Sequence, residues 1–235
     1  MKRICVYSDV HGNIEALQKL LQTDDYQNAD LRIFLGDAVM MCPHPNECLK
    51  TLFESKDILL MGNHDIYMAY GLPEEEFPYF SQSKRDHQAY MRNITDENLK
   101  RKLKTLPKKF VLMEADFKFH FSHYVWETEK LVVDAPKKYN TKTLDKLFDG
   151  VDANYIVFGH EHEPFMIESE KATYVCIGSL GIKYPSRYVV IEIDDKDVKF
   201  EFKQIDFDVE KLKKEMISLN YPRAEYYTGW FDYIK

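Results

Sequence analysis

Five segments carry side chains suited to holding cations: Asp9-Val10-His11-Gly12-Asn13, Gly36-Asp37, Gly62-Asn63-His64-Asp65, the isolated His123, and Gly159-His160-Glu161-His162. Carboxylate oxygen and imidazole nitrogen suit hard-to-borderline divalent ions such as Mn, Fe, Zn, Co or Ni, and no thiolate is required. In Asp9–His11 and His160–His162 the two donors stand at i and i+2, so an extended backbone points both the same way. The neighbouring glycines let the chain turn tightly beside an ion. Two ions about 3.5–4 Å apart need a bridging carboxylate, and Asp37 is the natural candidate. His120 competes with His123; His123 is preferred because it ends a strand, whereas His120 lies within one between Phe119 and Phe121.

The elements that must position these residues alternate in the first half. Strands are expected at Arg3–Tyr7, Leu31–Leu35 and Ile58–Met61, each followed by one of the first three segments. Between them, Asn13 caps a helix with Ile14, Leu17, Leu20 and Leu21 on one face, and Pro43–Phe53 reads as a second helix. This βα alternation indicates parallel pairing, and ligands of open α/β sheets bind beyond the strands' carboxyl ends. Residues 66–107 are rich in Tyr, Phe and charge, and read as a helical insert that caps the active-site end. Its Tyr67, Tyr70, Phe77, Tyr79, Phe80 and Tyr90 read as the insert's own packing, and His44 and His87 as surface or insert residues.

From Phe110 the pattern turns to β. Phe110–Glu114 and Phe117–Ser122 form an expected hairpin, and Tyr155–Phe158, Phe165–Ile167, Tyr174–Ile177, Tyr188–Ile193 and Val198–Phe202 follow as strands. Short helices are expected near Thr143–Phe148 and over Val209–Leu219. A βα half followed by a β-rich half implies two sheets packed face to face with helices outside. That is an α/β (αββα) four-layer sandwich of two mixed sheets, in one domain spanning 1–235. The tail aromatics Tyr221, Tyr226, Tyr227, Trp230 and Phe231 read as cover for the body or for a partner subunit.

The chain of 235 residues carries 32 Lys+Arg against 39 Asp+Glu, a net charge of −7, which argues against coating long nucleic acid. No run approaches the ~18 apolar residues of a membrane span. Polar Ser8-Asp9 come too early for a signal peptide, and Cys5, Cys42, Cys48 and Cys176 are scattered. A cytoplasmic protein is therefore expected, with a homo-oligomer left open.

SDVHGN, GDAV, GNHD, a later SH and GHEH, in that order, resemble the five motifs of calcineurin-like metallophosphoesterases. Residues 43–49, 95–107 and Gly178-Ser179-Leu180-Gly181 are similar to the short bacterial phosphodiesterase branch. The resemblance implies one metal at Asp9, His11, Asp37 and His162, and a second at Asp37, Asn63, His123 and His160, with manganese favoured. It implies that His64 steadies phosphate oxygens or protonates the leaving group, with Asp65 orienting His64. The implied reaction is hydrolysis of a small-molecule or nucleotide phosphodiester by a metal-activated hydroxide. Glu161 departs from the Thr that relatives often carry.

Two other functions compete with this one. A phosphomonoesterase, of the phosphoprotein phosphatase or dinucleoside polyphosphate hydrolase type, would need a clamp for a dianion; phosphoprotein phosphatases of the superfamily carry arginines beside the second and third motifs, where this chain has Met40, Met41 and Met61. An inactive binding scaffold usually loses ligands or the acid histidine, and here all five motifs retain them.

Overall fold

The computed structural model describes residues 1–72, 78–127, 130–131 and 136–232, so Phe77 of the insert lies outside the described residues. In chain order the elements are β1 (Lys2–Tyr7), α1 (Ile14–Leu21), α2 (Asp24–Gln27), β2 (Leu31–Phe34), α3 (Pro45–Glu54), β3 (Ile58–Leu59), α4 (Asn63–Tyr70), α5 (Gln82–Ile94), α6 (Glu97–Leu103), β4 (Lys109–Glu114) and β5 (Phe117–Ser122). There follow β6 (Trp126–Glu127), β7 (Lys130–Leu131), α7 (Thr141–Leu147), β8 (Tyr155–Phe158), β9 (Phe165–Glu168), β10 (Thr173–Cys176), β11 (Ser186–Ile193), β12 (Val198–Ile205), α8 (Val209–Leu219) and α9 (Ala224–Thr228).

Two mixed five-stranded sheets form, in the orders β12-β11-β1-β2-β3 and β4-β5-β8-β10-β9. β1, β2 and β3 run parallel, as do β5, β8 and β10. The period-2 alternation of strand side chains divides the interior into layers. On β1, Ile4 and Val6 join Phe119, Phe121, Val157, Val189 and Ile191 between the sheets. Cys5 and Tyr7 point the other way, toward Leu17, Leu49, Met68, Met91 and Leu212 of the helices. On β8 the alternation sends Ile156 and Phe158 to the opposite outer layer, with Leu144 and Phe148. Each such burial stabilises by about 1.5–3 kcal/mol against exposure, and together they fix the register that aims the strand ends.

The expected αββα sandwich is present, with differences in detail. The third strand is only two residues long, and the chain turns helical at Asn63, inside the third motif, so α4 itself carries Asn63, His64 and Asp65. His87, expected as a surface or insert residue, belongs to the insert and is buried on α5. There its Nδ1–H donates to the Pro222 carbonyl at 2.9 Å and its Nε2 accepts from the Met41 amide at 3.1 Å. Among the described residues no helix is long and apolar enough to cross a membrane.

Candidate metal centre

The five motif segments leave the ends of β1, β2, β3, β5 and β8 and meet at one edge of the paired sheets. Backbone bonds knit them together: Asp9 N–H to Gly36 O (2.9 Å), His11 N–H to Asp37 O (3.0 Å) and Gly159 N–H to His123 O (2.9 Å). Five of the seven proposed ligands, Asp9, His11, Asp37, His160 and His162, hold φ between 51° and 70°. Non-glycine residues enter this left-handed region at a cost and persist there when their surroundings enforce it, commonly at functional sites. Gly159 is required for another reason: a Cβ there would lie 2.2 Å from Ser8 Oγ and 2.6 Å from Asp9 Oδ2.

The donors fall into two sets. In the first, His11 Nε2 lies 3.6 Å from Asp9 Oδ1, 3.8 Å from Asp37 Oδ2 and 3.2 Å from His162 Nε2, and His162 Nε2 lies 3.2 Å from Asp9 Oδ1. In the second, His123 Nε2 lies 3.3 Å from Asp37 Oδ2 and 3.1 Å from Asn63 Oδ1, and His160 Nδ1 lies 3.0 Å from the same Asn63 oxygen. Donors held 2.0–2.2 Å from one ion stand about 3–4 Å apart, so both sets have the spacing of a coordination shell. Asp37 Oδ2 belongs to both. His120 lies elsewhere, lining a cavity with Trp126 and Phe148.

The electrostatics fit cations. Asp9 Oδ1 is buried without a hydrogen-bond partner, a costly state that a bound ion would relieve. Burial works to raise the Asp9 and Asp37 carboxyls, yet the surrounding histidines outweigh it and hold both below the usual carboxylate range. Burial likewise works to lower His123, but Asp37 and Asp9 push it up to about 9. His11 is aimed by its Nδ1–H, which donates to Val39 O at 3.2 Å and leaves Nε2 free to coordinate. The Tyr124 ring stacks on His160, with centroids 4.6 Å apart.

His64 and Asp65 arrive at the same place, but not as the expected pair. The His64 ring sits 5.2 Å from that of His11, its Nδ1 has no partner, and burial lowers its pKa to about 3. Asp65 does not hydrogen-bond to it. The buried Asp65 carboxylate instead accepts from three backbone amides, of Asp37 (2.8 Å), Ala38 (3.0 Å) and Gly62 (3.0 Å), clasping the second and third motif loops together. Burial, and then repulsion from Asp37, raise its pKa to about 6.

Sequence reasoning missed the bracing behind the centre. Asn13 Oδ1 caps α1 through the Ala16 amide, while its Nδ2 donates to Gly181 O at 2.7 Å. Ser179 Oγ donates to Asp9 O at 2.9 Å, so the 178–181 turn supports the first motif from behind. A helix-cap signal is visible at Asn13; the partner 168 residues away is not.

The chain belongs to the calcineurin-like phosphoesterase superfamily, whose domain model matches residues 1–196. It is accordingly a metallophosphoesterase, of a family of hydrolases that act on phosphoesters with a dinuclear metal centre. An uncharacterized protein of Methanocaldococcus jannaschii is 27% identical over 246 residues, covering 93% of each chain. A metallophosphoesterase from Sphaerobacter thermophilus has a similar structure, with a TM-score of 0.71 and 22% identity over 95% of this chain and 96% of that one. A hypothetical protein from Pyrococcus horikoshii gives a TM-score of 0.76 at 16% identity, covering 97% of each.

Proposed function

We propose that the protein hydrolyses a phosphodiester of a small molecule or nucleotide at this centre, with manganese the favoured metal. The observation that carries the reading is the single oxygen, Asp37 Oδ2, common to two donor sets of coordination spacing. Asp9, His11, Asp37 and His162 would hold one ion, and Asp37, Asn63, His123 and His160 the other. Two bound cations would supply charge to offset that building on phosphate oxygens, and would make water acidic enough to attack at neutral pH.

The chain's own groups do the rest. The Val39 carbonyl fixes the His11 tautomer. Asp65 holds the Asp37 and Gly62 loops in register, so it is a positioning residue. His64, at the lip of the centre, would steady a phosphate oxygen or deliver a proton to the departing alcohol. The diester preference rests on Met40, Met41 and Met61, buried where an arginine clamp for a dianion would stand. Residues 66–107 serve, in this reading, as the insert over the site within one domain spanning 1–235. The four cysteines, all buried and free, support a reducing, cytoplasmic setting.

The test is a metal-reconstituted screen of phosphodiesters against phosphomonoesters, with His64→Ala as control. Metal-dependent turnover of diesters, much reduced in His64→Ala, is expected. Monoester preference would overturn the diester assignment, and no turnover of any phosphoester would favour an inactive scaffold.

A further inference from the structure

We propose that the cavity beside His64 is a leaving-group subsite for a nucleoside, which makes the substrate a nucleoside phosphoester. This rests on the phosphoesterase reading and names its substrate class. The cavity, of about 150 Å³, lies between α5 and the segment 221–232, and Lys84, Gln88, Arg223, Tyr226 and Trp230 line it together with His64. It opens from the metal centre: the Trp230 ring is 6.4 Å from that of His162. A cavity of about this size admits one aromatic ring system.

Three features define what fits. The first is aromatic walls: the Tyr226 and Trp230 rings lie 5.8 Å apart and are turned 66° to one another, so a base stacked on one meets the other at its edge. The second is a pair of unsatisfied polar atoms. Gln88 Oε1 and Arg223 Nε are both buried without a hydrogen-bond partner, and Gln88 is only 9% exposed. Buried polar groups in folded proteins are nearly always paired; this unpaired acceptor and donor belong to two residues that line the cavity, and a ligand that turns those side chains toward it would supply the complements. The third is positive charge. The Arg223 guanidinium lies 4.0 Å above the Tyr226 ring, with one Nη bonded to Ser83 Oγ at 3.2 Å. The Lys84 ammonium lies 4.6 Å over Phe80. Among the described residues neither cation has a carboxylate partner.

A nucleobase meets the first two demands together. It offers a flat face for Trp230 and an edge for Tyr226, an amine or ring N–H for Gln88 Oε1, and a ring nitrogen or carbonyl for Arg223 Nε. A glycerol or sugar leaving group lacks the face, and a simple phenol lacks the paired donor and acceptor.

The probes are adenosine 5′-monophosphate and ribose 5-phosphate, titrated into the full-length, Mn²⁺-loaded protein while tryptophan fluorescence and calorimetric heat are recorded. Base stacking is worth about 1–3 kcal/mol, so the nucleotide should bind about 5- to 150-fold more tightly than the sugar phosphate and should quench fluorescence. Trp230→Ala and Gln88→Leu should each erase most of that advantage. Tyr226 is 53% exposed, so Tyr226→Ala tests the same wall if either of those fails to fold. Equal affinity for the two probes, or an advantage that survives all three substitutions, would overturn the subsite while leaving hydrolysis in the phosphoester screen intact. If neither probe binds and no phosphoester is hydrolysed, the subsite and the phosphoesterase reading both fall.

Discussion

Replacing Gly62 by alanine should disable the centre through one carbon atom. Gly62 sits immediately before α4 at φ −98° and ψ 176°, a backbone that alanine adopts freely. The obstacle is space: a Cβ at this position would lie 2.2 Å from Asp37 Oδ1 and 2.4 Å from the Asp37 amide nitrogen. Non-bonded carbon contacts settle near 3.5 Å, so the Asp37 carboxylate and its backbone must retreat by about 1 Å. Overpacking of this kind costs about 1–3 kcal/mol, or about 2–4 °C of Tm per kcal/mol in a chain of this size. A misplacement of about 1 Å costs turnover about 100-fold. Because Asp37 Oδ2 is common to both donor sets, affinity for both ions should fall together. The assay combines calorimetric Mn²⁺ titration, thermal unfolding and turnover of a chromogenic diester. Gly150→Ala is the control, since that glycine has φ +80° with nothing within 4 Å, and it should lose stability without losing metal affinity. Gly62→Ala with wild-type metal affinity and turnover would refute the claim that Asp37 must occupy this position.

Asp65→Asn keeps shape but places an amide where one of three backbone N–H donors needs an acceptor; Mn²⁺ affinity should fall about 10- to 100-fold, and calorimetry showing no change would remove Asp65 from the positioning role. His87 carries a pH prediction: burial, more than any other influence, lowers it from 6.5 to about 4. The unfolded chain therefore binds the extra proton, and this contribution to stability is full above pH 6.5 and lost as pH falls toward 4. The loss should reach about 2 kcal/mol at pH 5. Denaturant unfolding at pH 7 and pH 5 should show a smaller difference in His87→Gln than in wild type, and an equal difference would refute it. Adding Mn²⁺ at 100 times its Kd should raise stability by about 2.7 kcal/mol for each of the two ions, read as a Tm increase that chelator reverses; a Tm indifferent to both would contradict binding to the folded chain.

The centre was legible because its donors are short patterns placed at strand ends, where glycine, carboxylate and imidazole together are hard to explain by packing. The same periodic logic exposed β1, β2, β5, β8 and α1. It failed where partners are remote or are backbone. Nothing near Asp65 shows that its oxygens serve amides 27 and 28 residues earlier in the chain. The α5 sequence QSKRDHQAYMRNI has few apolar positions and no clean stripe; it is anchored instead by His87 and by Tyr90 stacked on Tyr221 at 5.9 Å. The tail aromatics divide in a way composition cannot show. Tyr221, Tyr227 and Phe231 are buried against the body, as expected. Tyr226 and Trp230, together with one side of Tyr227, line the cavity beside His64, because the left-handed Arg223 redirects the chain into α9.

In the proposed centre one carboxylate oxygen of Asp37 joins two cation sites. Equilibrium dialysis against Mn²⁺, with elemental analysis of bound metal per chain, tests it most directly. Two ions per wild-type chain and a sharp loss of both in Asp37→Asn are expected. Fewer than two ions at saturation, or two ions retained by Asp37→Asn with undiminished affinity, would contradict it.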